Sequence, residues 1–278
     1  MELEYVSDCP ICGKKHFRRY KRIDEWQIVQ CTHCRLALLN PRPTAVEVHK
    51  VLSVDYGYPY MPKDPLEKRR LIEVERSRLN PLFQFRKTGA LLDVGFGSGF
   101  FMAQAQESGW TVAGTEITER CVHYGRDELG LQVYQGDIAE LNIPRKFDVV
   151  SFHHVLEHVP NPIAQVQASK ALLRDDGLLY ISVPNHLGFD SWRQKSKWNG
   201  WALPWHFCHY TPATLQRMLE WRDLRVLSID FSRSEDFDKP WIARLRGRLP
   251  TNWQRRIFSG TEMSIIACKK IAGHTSGD

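Results

Sequence analysis

Apolar residues along this chain fall into short dense runs separated by glycine, proline and charge, the rhythm of strands alternating with helices. Leu91, Leu92 and Val94 read as a short, fully buried strand, and residues 100–106 have helix-forming character. Further strands are expected at 110–116, 131–134, 147–152 and 178–184. Between them lie a helix at 119–129 stopped by Gly130, a helix at 163–173, and a turn at Arg174-Asp-Asp-Gly177. Thr211 caps one more helix with Pro212 in its first turn, and 224–231 and 263–269 supply the last two strands. Upstream, residues 17–29 read as paired strands carrying Tyr20, Ile23, Trp26 and Ile28. Thr44 caps a short helix at 45–53, and 65–78 is a charged helix whose Leu66, Ile72, Val74 and Leu79 mark an imperfect apolar face. Two stretches interrupt the rhythm: a tryptophan-rich insertion at 185–203 with Trp205 just beyond it, and a basic amphipathic insert at 240–258 that reads as a substrate lid or an interface. The pattern predicts an α/β, doubly wound, mostly parallel sheet with a small N-terminal appendage.

Composition narrows this. At 278 residues there is room for one α/β domain and an appendage, and 42% hydrophobic with 25% charged residues is ordinary for a globular protein. No apolar run is long enough to cross a bilayer, and Met1-Glu-Leu-Glu-Tyr5 lacks the apolar core of a signal peptide, so a cytoplasmic protein with no membrane partner is expected. The formal charge of +6, with basic clusters at 14–22 and 244–256, admits nucleic acid or an anionic substrate as well as plain solubility. The tail 272–278 reads as disordered.

Cys9-Pro-Ile-Cys12 and Cys31-Thr-His-Cys34 stand 18 residues apart, the spacing of a four-thiolate zinc site. Two such turns brought together by a hairpin close the tetrahedral shell, which makes the metal structural and a source of folding energy. Two disulfides are the alternative. His16 and His33 are not needed as ligands, and Cys121, Cys208 and Cys268 are scattered packing residues.

The densest chemistry lies where the first buried strand runs out, at Asp93-Val-Gly-Phe-Gly-Ser-Gly99. Gly95, Gly97 and Gly99 let the backbone bend tightly and let a ligand approach without meeting a Cβ. The dinucleotide spacing G-x-G-x-x-G would put a glycine where Phe100 stands. Asp93 suits a ligand with an ammonium group better than a pyrophosphate, which it would repel. Glu116, at the tip of the second strand, is placed to accept both hydroxyls of a ribose.

Asp93-Val-Gly-Phe-Gly-Ser-Gly99 resembles the first motif of class I S-adenosylmethionine-dependent methyltransferases. The succession of C-x-x-C pairs, Asn40-Pro-Arg-Pro43, a short helix and Tyr56-Gly-Tyr-Pro-Tyr60 resembles the leader of a subgroup found with sugar and natural-product pathways. His153-His-Val-Leu-Glu-His-Val-Pro-Asn-Pro162 resembles the L-E-H-V-x-(D/N)-P signature of the ubiquinone-biosynthesis and sugar branch. The resemblance implies a seven-stranded Rossmann-like sheet behind a zinc ribbon, with S-adenosylmethionine and structural zinc as cofactors. It divides the chain into a ribbon at 1–40, a helical linker or lid at 41–85, and a methyltransferase domain at 86–271 with inserts at 186–210 and 235–260.

It assigns the donor to Asp93, Gly95, Phe96, Gly97, Gly99, Glu116 and Ile117, to Asp137 and Ile138 around the adenine, and to backbone at His153. It also lets Tyr56, Tyr58 or Tyr60 line the active site. A P-x-H-x-x-H-(Y/F)-(S/T) pattern places His206 and His209 toward the acceptor, with His206 as general base, unless both simply pack and cap the loop. His154, Glu157 and His158 also spell H-x-x-E-H, but at a strand-to-helix turn rather than on the single helix a zinc protease needs. In some members of the branch three such positions hold a divalent metal; here His154 replaces the first acid and disfavours a hard cation.

The expected function is methylation of a hydroxyl on a small molecule, a sugar or sugar-bearing metabolite, since sugars stack on aromatic rings and the insertion supplies four tryptophans. A hydrophobic core or a quinone-like acceptor would use the same tryptophans. Three alternatives stay open: a ribosomal or transfer RNA methyltransferase gripping RNA with its ribbon, a sugar C-methyltransferase, and a non-catalytic S-adenosylmethionine-binding protein. Acceptor identity and oligomeric state are not set by the sequence.

Overall fold

The computed structural model describes residues 1–54, 62, 64–234, 238–250, 253–254 and 257–270. Tyr56, Tyr58, Tyr60 and the tail 272–278 lie outside the described residues. The chain opens with β1 (Leu3–Glu4), β2 (Phe17–Ile23), β3 (Trp26–Cys31), β4 (Ala37–Leu39) and β5 (Arg42–Pro43). Helices α1 (Ala45–Val54), α2 (Pro65–Ser77) and the one-turn α3 (Asn80–Phe83) lead to the central sheet. Asp64 starts α2 by accepting from the backbone of Leu66 and Glu67.

Strands β6 (Ala90–Val94), β7 (Thr111–Glu116) and β8 (Val133–Gln135) alternate with α4 (Phe100–Glu107) and α5 (Glu119–His123). Strand β9 (Phe147–His153), α6 (Pro162–Leu172) and β10 (Leu173–Pro184) follow. After α7 (Phe189–Gln194), β11 (Cys208–His209) and α8 (Pro212–Glu220), the chain ends with β12 (Leu224–Arg233), α9 (Pro240–Arg246) and β13 (Ser259–Lys269). The seven-stranded sheet has the order β12-β13-β10-β9-β6-β7-β8. It is parallel from β10 to β8, while β13 runs antiparallel to both neighbours. All five residues of β6 are buried, as a strand covered on both faces requires. From β6 the chain winds outward to β7 and β8, then returns to β9 on the other side. A crevice therefore opens at the C-terminal ends of β6 and β9.

Two expectations change. The helix expected at 119–129 stops as an α-helix at His123 and widens into a π-helical turn at Tyr124–Glu128, where Gly125 lies against the Phe96 ring. The turn expected at Arg174–Gly177 is instead part of β10, taken up as a register shift between Leu173, which pairs with Phe147, and Leu178, which pairs with Val149.

The second sheet, of order β11-β4-β3-β2, joins the N-terminal segment to the stretch between α7 and α8. Strand β11, from the tryptophan-rich insertion, pairs Cys208 with Leu38 and His209 with Ala37. Ile11, Leu36 and Leu38 share one continuous core with Phe207, Leu215 and Met218. Arg217 Nη1 donates to Cys34 O at 3.0 Å. Trp198 and Trp201 are buried against Ile23, Ile28 and Ala37. The N-terminal sheet therefore draws its core from the catalytic unit as well as from its own forty residues.

Candidate active site

The crevice is built first from backbone. Gly95, Gly97 and Gly99 all hold positive φ, at 65°, 55° and 75°. Gly95 N–H donates to Thr115 O at 2.7 Å, and a Cβ there would meet Val155 Cγ2 at 2.7 Å. A Cβ on Gly97 would meet nothing within 4 Å, so this glycine faces the open crevice. The Phe96 side chain turns inward, filling the space left by Gly114 and Gly125, so it offers the crevice only backbone. Glu116 is pinned at the rim: Oε2 accepts Gly97 N–H at 3.0 Å, and Oε1 accepts Ile117 and Thr118 N–H at 2.9 Å each. Ile117 beside it is exposed.

Asp137 caps its own turn through Ala139 N–H at 2.7 Å and takes the Gln165 amide at 2.7 and 2.9 Å. Gln165, buried on α6, went unremarked in the sequence because an amide on a helix carries no motif. Ile138 next to Asp137 is buried. Asp93 is buried at the end of β6 and accepts Ser151 Oγ at 2.8 Å. Burial pushes its carboxyl up to about 8, against the lowering pull of Ser151. A buried acid with so little compensation, next to an open glycine and a rim carboxylate, fits a cationic ligand with a diol. That is the donor set of S-adenosylmethionine.

The other side of the crevice is a chain of charges. His154 sits at the tip of β9 with φ 56°, a strained position for a non-glycine residue. Its Nε2 meets Glu262 Oε2 at 2.8 Å and its Nδ1 meets Glu157 Oε1 at 3.3 Å. Burial alone would lower the His154 imidazole; the two carboxylates overcome it and raise it to about 9, so it stands as an imidazolium donating both protons. Glu262 is only partly exposed, and against the raising pull of desolvation His154 and Arg78 hold it down at about 2. Arg78, at the end of α2, continues the chain to Glu262 at 3.6 Å and Glu75 at 3.5 Å. Beside them His153 packs its ring at 4.3 Å from Phe101 and 4.9 Å from Tyr180, and burial holds it neutral. Glu75, Arg78 and Glu262 were not singled out from the sequence. The first two fall in the charged helix expected at 65–78 and the third just outside the strand expected at 263–269, and only tertiary folding brings them to His154.

The two candidate histidines part company. His206 donates Nδ1–H to Gly200 O at 2.9 Å, and its ring stands edge-on to His158 at 4.5 Å. His158 in turn donates Nδ1–H to Trp205 O at 3.0 Å. A carbonyl only accepts, so both rings carry the proton on Nδ1 and the lone pair on Nε2. Burial lowers both imidazoles, His158 to about 4. One donor atom from each of Glu157, His158 and His206 lies within 4.8 Å of the others, and Glu157 Oε2 is buried with no hydrogen-bond partner among the described residues. The group that could hold a divalent ion is thus Glu157, His158 and His206, while both nitrogens of His154 are taken by carboxylates. Residues 156–158 form a turn and not a helix. His209 is buried in the joint with the N-terminal sheet, its ring 4.9 Å from Trp201.

Cys9, Cys12, Cys31 and Cys34 converge at that joint, all four as free thiols. The Sγ atoms of Cys9 and Cys34 are 3.4 Å apart and those of Cys12 and Cys31 are 3.6 Å apart. A tetrahedral zinc with Zn–S of ~2.3 Å needs sulfurs about 3.8 Å apart, so the set fits zinc with little movement.

Comparison with known proteins agrees with this geometry. Residues 67–229 match the family described as a methyltransferase domain. The ubiquinone biosynthesis O-methyltransferase of Haemophilus ducreyi is 34% identical over 126 residues, covering 38% of this chain and 53% of that protein. The protein of that name from Actinobacillus pleuropneumoniae is 35% identical over 106 residues, 34% of this chain and 45% of its own length. The chain thus spans about half the length of the curated relatives it matches. A SAM-dependent methyltransferase from Archaeoglobus fulgidus superimposes with a TM-score of 0.57 at 23% identity, covering 71% of this chain and 94% of its own. The 1,6-didemethyltoxoflavin-N1-methyltransferase of Burkholderia thailandensis does so with a TM-score of 0.55 at 16% identity, over 91% of this chain and 100% of its own. These last two speak for the fold alone.

Proposed function

Since the chain belongs to the class I S-adenosylmethionine-dependent methyltransferases, we propose that it transfers the sulfonium methyl group to a hydroxyl oxygen of a small-molecule acceptor. The observation that carries this reading is the corner where Asp93, the open Gly97 and the pinned Glu116 meet at the topological switch point. Asp93 pairs with the methionine ammonium group, Glu116 accepts the ribose hydroxyls, and Asp137 with Ile117 and Ile138 holds the adenine. Backbone at Gly95, Phe96, Gly97, Gly99 and His153 closes the outline. When bound, S-adenosylmethionine supplies a methyl group already activated by positive sulfur. The protein's share is to align the acceptor oxygen and keep water out.

His206, neutral and with its Nε2 lone pair directed by the bond to Gly200, takes the acceptor's proton. His154 and Arg78 are spent on the carboxylates of Glu157, Glu262 and Glu75, so this network orders the acceptor wall rather than adding net positive charge to it. Glu157, His158 and His206 would alternatively hold a borderline divalent ion beside the acceptor, a reading favoured by the unpartnered Glu157 oxygen. Zinc at the four cysteines is structural.

The sugar reading rested on stacking by the insertion's tryptophans. Trp198 and Trp201 are interior packing residues, which removes half of that platform. The relatives are named for O-methylation in ubiquinone biosynthesis, and an aromatic hydroxyl, more acidic than a sugar alcohol, yields its proton more readily to a neutral His206. The test pairs calorimetry with turnover. Wild-type protein should bind S-adenosylhomocysteine and methylate a catechol, and Glu116→Gln should weaken binding about tenfold, since a charged hydrogen bond contributes ~1.5–3 kcal/mol. Unchanged affinity in that variant would remove Glu116 from the donor site. Turnover on a sugar but not on a catechol would overturn the acceptor class.

A further inference from the structure

The basic insert expected from the sequence is not used by the chemistry above. Leu187, Trp192, Trp241, Leu245, Trp253 and Ile257 are each 42% to 71% exposed, and all fall in α7, its approach and the segment 238–258. They are held in place by a small core of their own. The Phe189 ring lies 5.6 Å from Trp192, 6.2 Å from Trp241 and 5.3 Å from Phe258. Ile242 and Phe258 are buried there, with Leu249 packed against them. The exposed rings are therefore what remains outside after this segment has satisfied its packing. The same stretches carry Arg193, Lys195, Lys197, Lys239, Arg244 and Arg248, all exposed, and their acids are Asp238 and the buried Asp190.

We propose that this face docks on the surface of an anionic lipid bilayer. Tryptophan with leucine and isoleucine, interspersed with lysine and arginine, is the composition of a segment that lies in the interface with its cations against lipid phosphates. No helix among the described residues is long and apolar enough to cross a membrane, and none is needed. The charge argues against a second copy of the chain as occupant, because two such faces would bring like charges together. Nucleic acid would engage the cations and stack on the rings, but it would leave Leu187, Leu245 and Ile257 in water.

The position matters. Helix α7 starts five residues after β10 ends, and β13 starts immediately after Phe258, with Glu262 near its start. The docking face therefore borders the acceptor side of the crevice. Resting on the methyltransferase reading, this gives the acceptor a class: a hydroxyl carried by a molecule dissolved in the bilayer.

The experiment sediments the full chain with vesicles of phosphatidylcholine alone and of equimolar phosphatidylcholine and phosphatidylglycerol. Binding is expected on the anionic vesicles at low salt, should weaken as salt rises, and should be marginal on phosphatidylcholine. The exposed triple variant Trp192→Ser, Trp241→Ser, Trp253→Ser should bind about tenfold more weakly or worse, with unchanged S-adenosylhomocysteine binding by calorimetry. Absence of binding to the anionic vesicles, or equal binding by the triple variant, overturns the proposal. So does binding of bulk RNA that the triple variant loses while vesicles are ignored. Vesicle binding without donor binding would spare this proposal and remove the methyltransferase reading; donor binding without vesicle binding does the opposite.

Discussion

The two sides of the crevice are made in different ways. On the β6–β8 side the groups proposed to hold the donor come from short stretches of chain, Asp93 to Gly99, Glu116 to Thr118 and Asp137 to Ala139, fixed mostly by bonds to near neighbours or to the adjacent strand, with Gln165 of α6 added at Asp137. On the β9–β13 side the groups are side chains from distant segments: Glu75 and Arg78 from α2, His154 and Glu157 after β9, His206 from the insertion and Glu262 from β13. The first side is backbone geometry with three acids set into it. The second is a charge network whose members hold one another. A donor common to many enzymes suits the first construction, and an acceptor particular to one enzyme suits the second.

The largest effect that would test this division is expected at the four cysteines, proposed above to hold zinc. The N-terminal sheet is bonded to β11 and to α8, both downstream of β10, and touches the acceptor side through Phe207 N–H and Cys208 N–H, which donate to Glu157 O. Cys31→Ser should remove one zinc per chain by elemental analysis, lower the unfolding temperature sharply and abolish turnover, because structural zinc contributes folding energy directly. Donor affinity should survive within about threefold if the β6–β8 side stands on its own bonds. Parallel loss of both would show that the crevice is one cooperative unit.

A smaller effect is expected at Glu262→Gln. The substitution leaves Arg78 and His154 without the carboxylate between them, so the acceptor pocket loses its alignment while β6–β8 is untouched. Turnover should fall about a hundredfold with donor affinity unchanged. The sign of the pH effect follows from the shifts. His154, raised from 6.5 to about 9, contributes stability fully present below about pH 6.5 and lost as pH climbs through 9. Glu262, held at about 2, contributes above pH 4.5 and is lost as pH falls toward 2. Histidine titration by NMR should show His154 losing its proton near pH 9 in the wild type and at lower pH in Glu262→Gln. An unmoved titration would remove Glu262 as its partner.

This division also governs what could be read from the sequence. The glycine spacing, Glu116 at a strand tip and the paired C-x-x-C turns are visible because local backbone needs particular residues at fixed intervals. The central sheet was legible for the same reason, each strand being a short apolar run between breakers. Glu75, Arg78 and Glu262 were hidden because a charge on a helix or a strand end looks like a solvated surface until folding puts a partner next to it. The tryptophans were ambiguous, fitting a ligand platform or a hydrophobic core, and Trp198 and Trp201 are the mortar between β11 and the N-terminal sheet. Nothing in the spacing of Cys208 and His209 announces that they extend a sheet by pairing with Leu38 and Ala37, far earlier in the chain.

The smallest expected effect is read at the donor side. Asp93 is buried and its carboxyl sits at about 8, so near neutral pH most molecules hold it protonated. A donor carrying an ammonium group needs the carboxylate, and binding must therefore expel a proton. Because the folded value lies above the ordinary 3.8, an ionised Asp93 weighs against the empty protein as pH rises through 8, and the bound cation offsets that cost. With a midpoint of 8, the ionised fraction grows about fivefold from pH 7 to pH 8, so S-adenosylmethionine should bind more tightly over that interval and more weakly again as its own amine loses its proton at higher pH. Calorimetry in buffers of different ionisation heats should detect close to one proton released at pH 7. Asp93→Asn should bind weakly at every pH with a flat profile. If wild-type affinity is instead flat while Glu262→Gln acquires a slope, the titrating group lies on the acceptor side, and the two sides are electrostatically one.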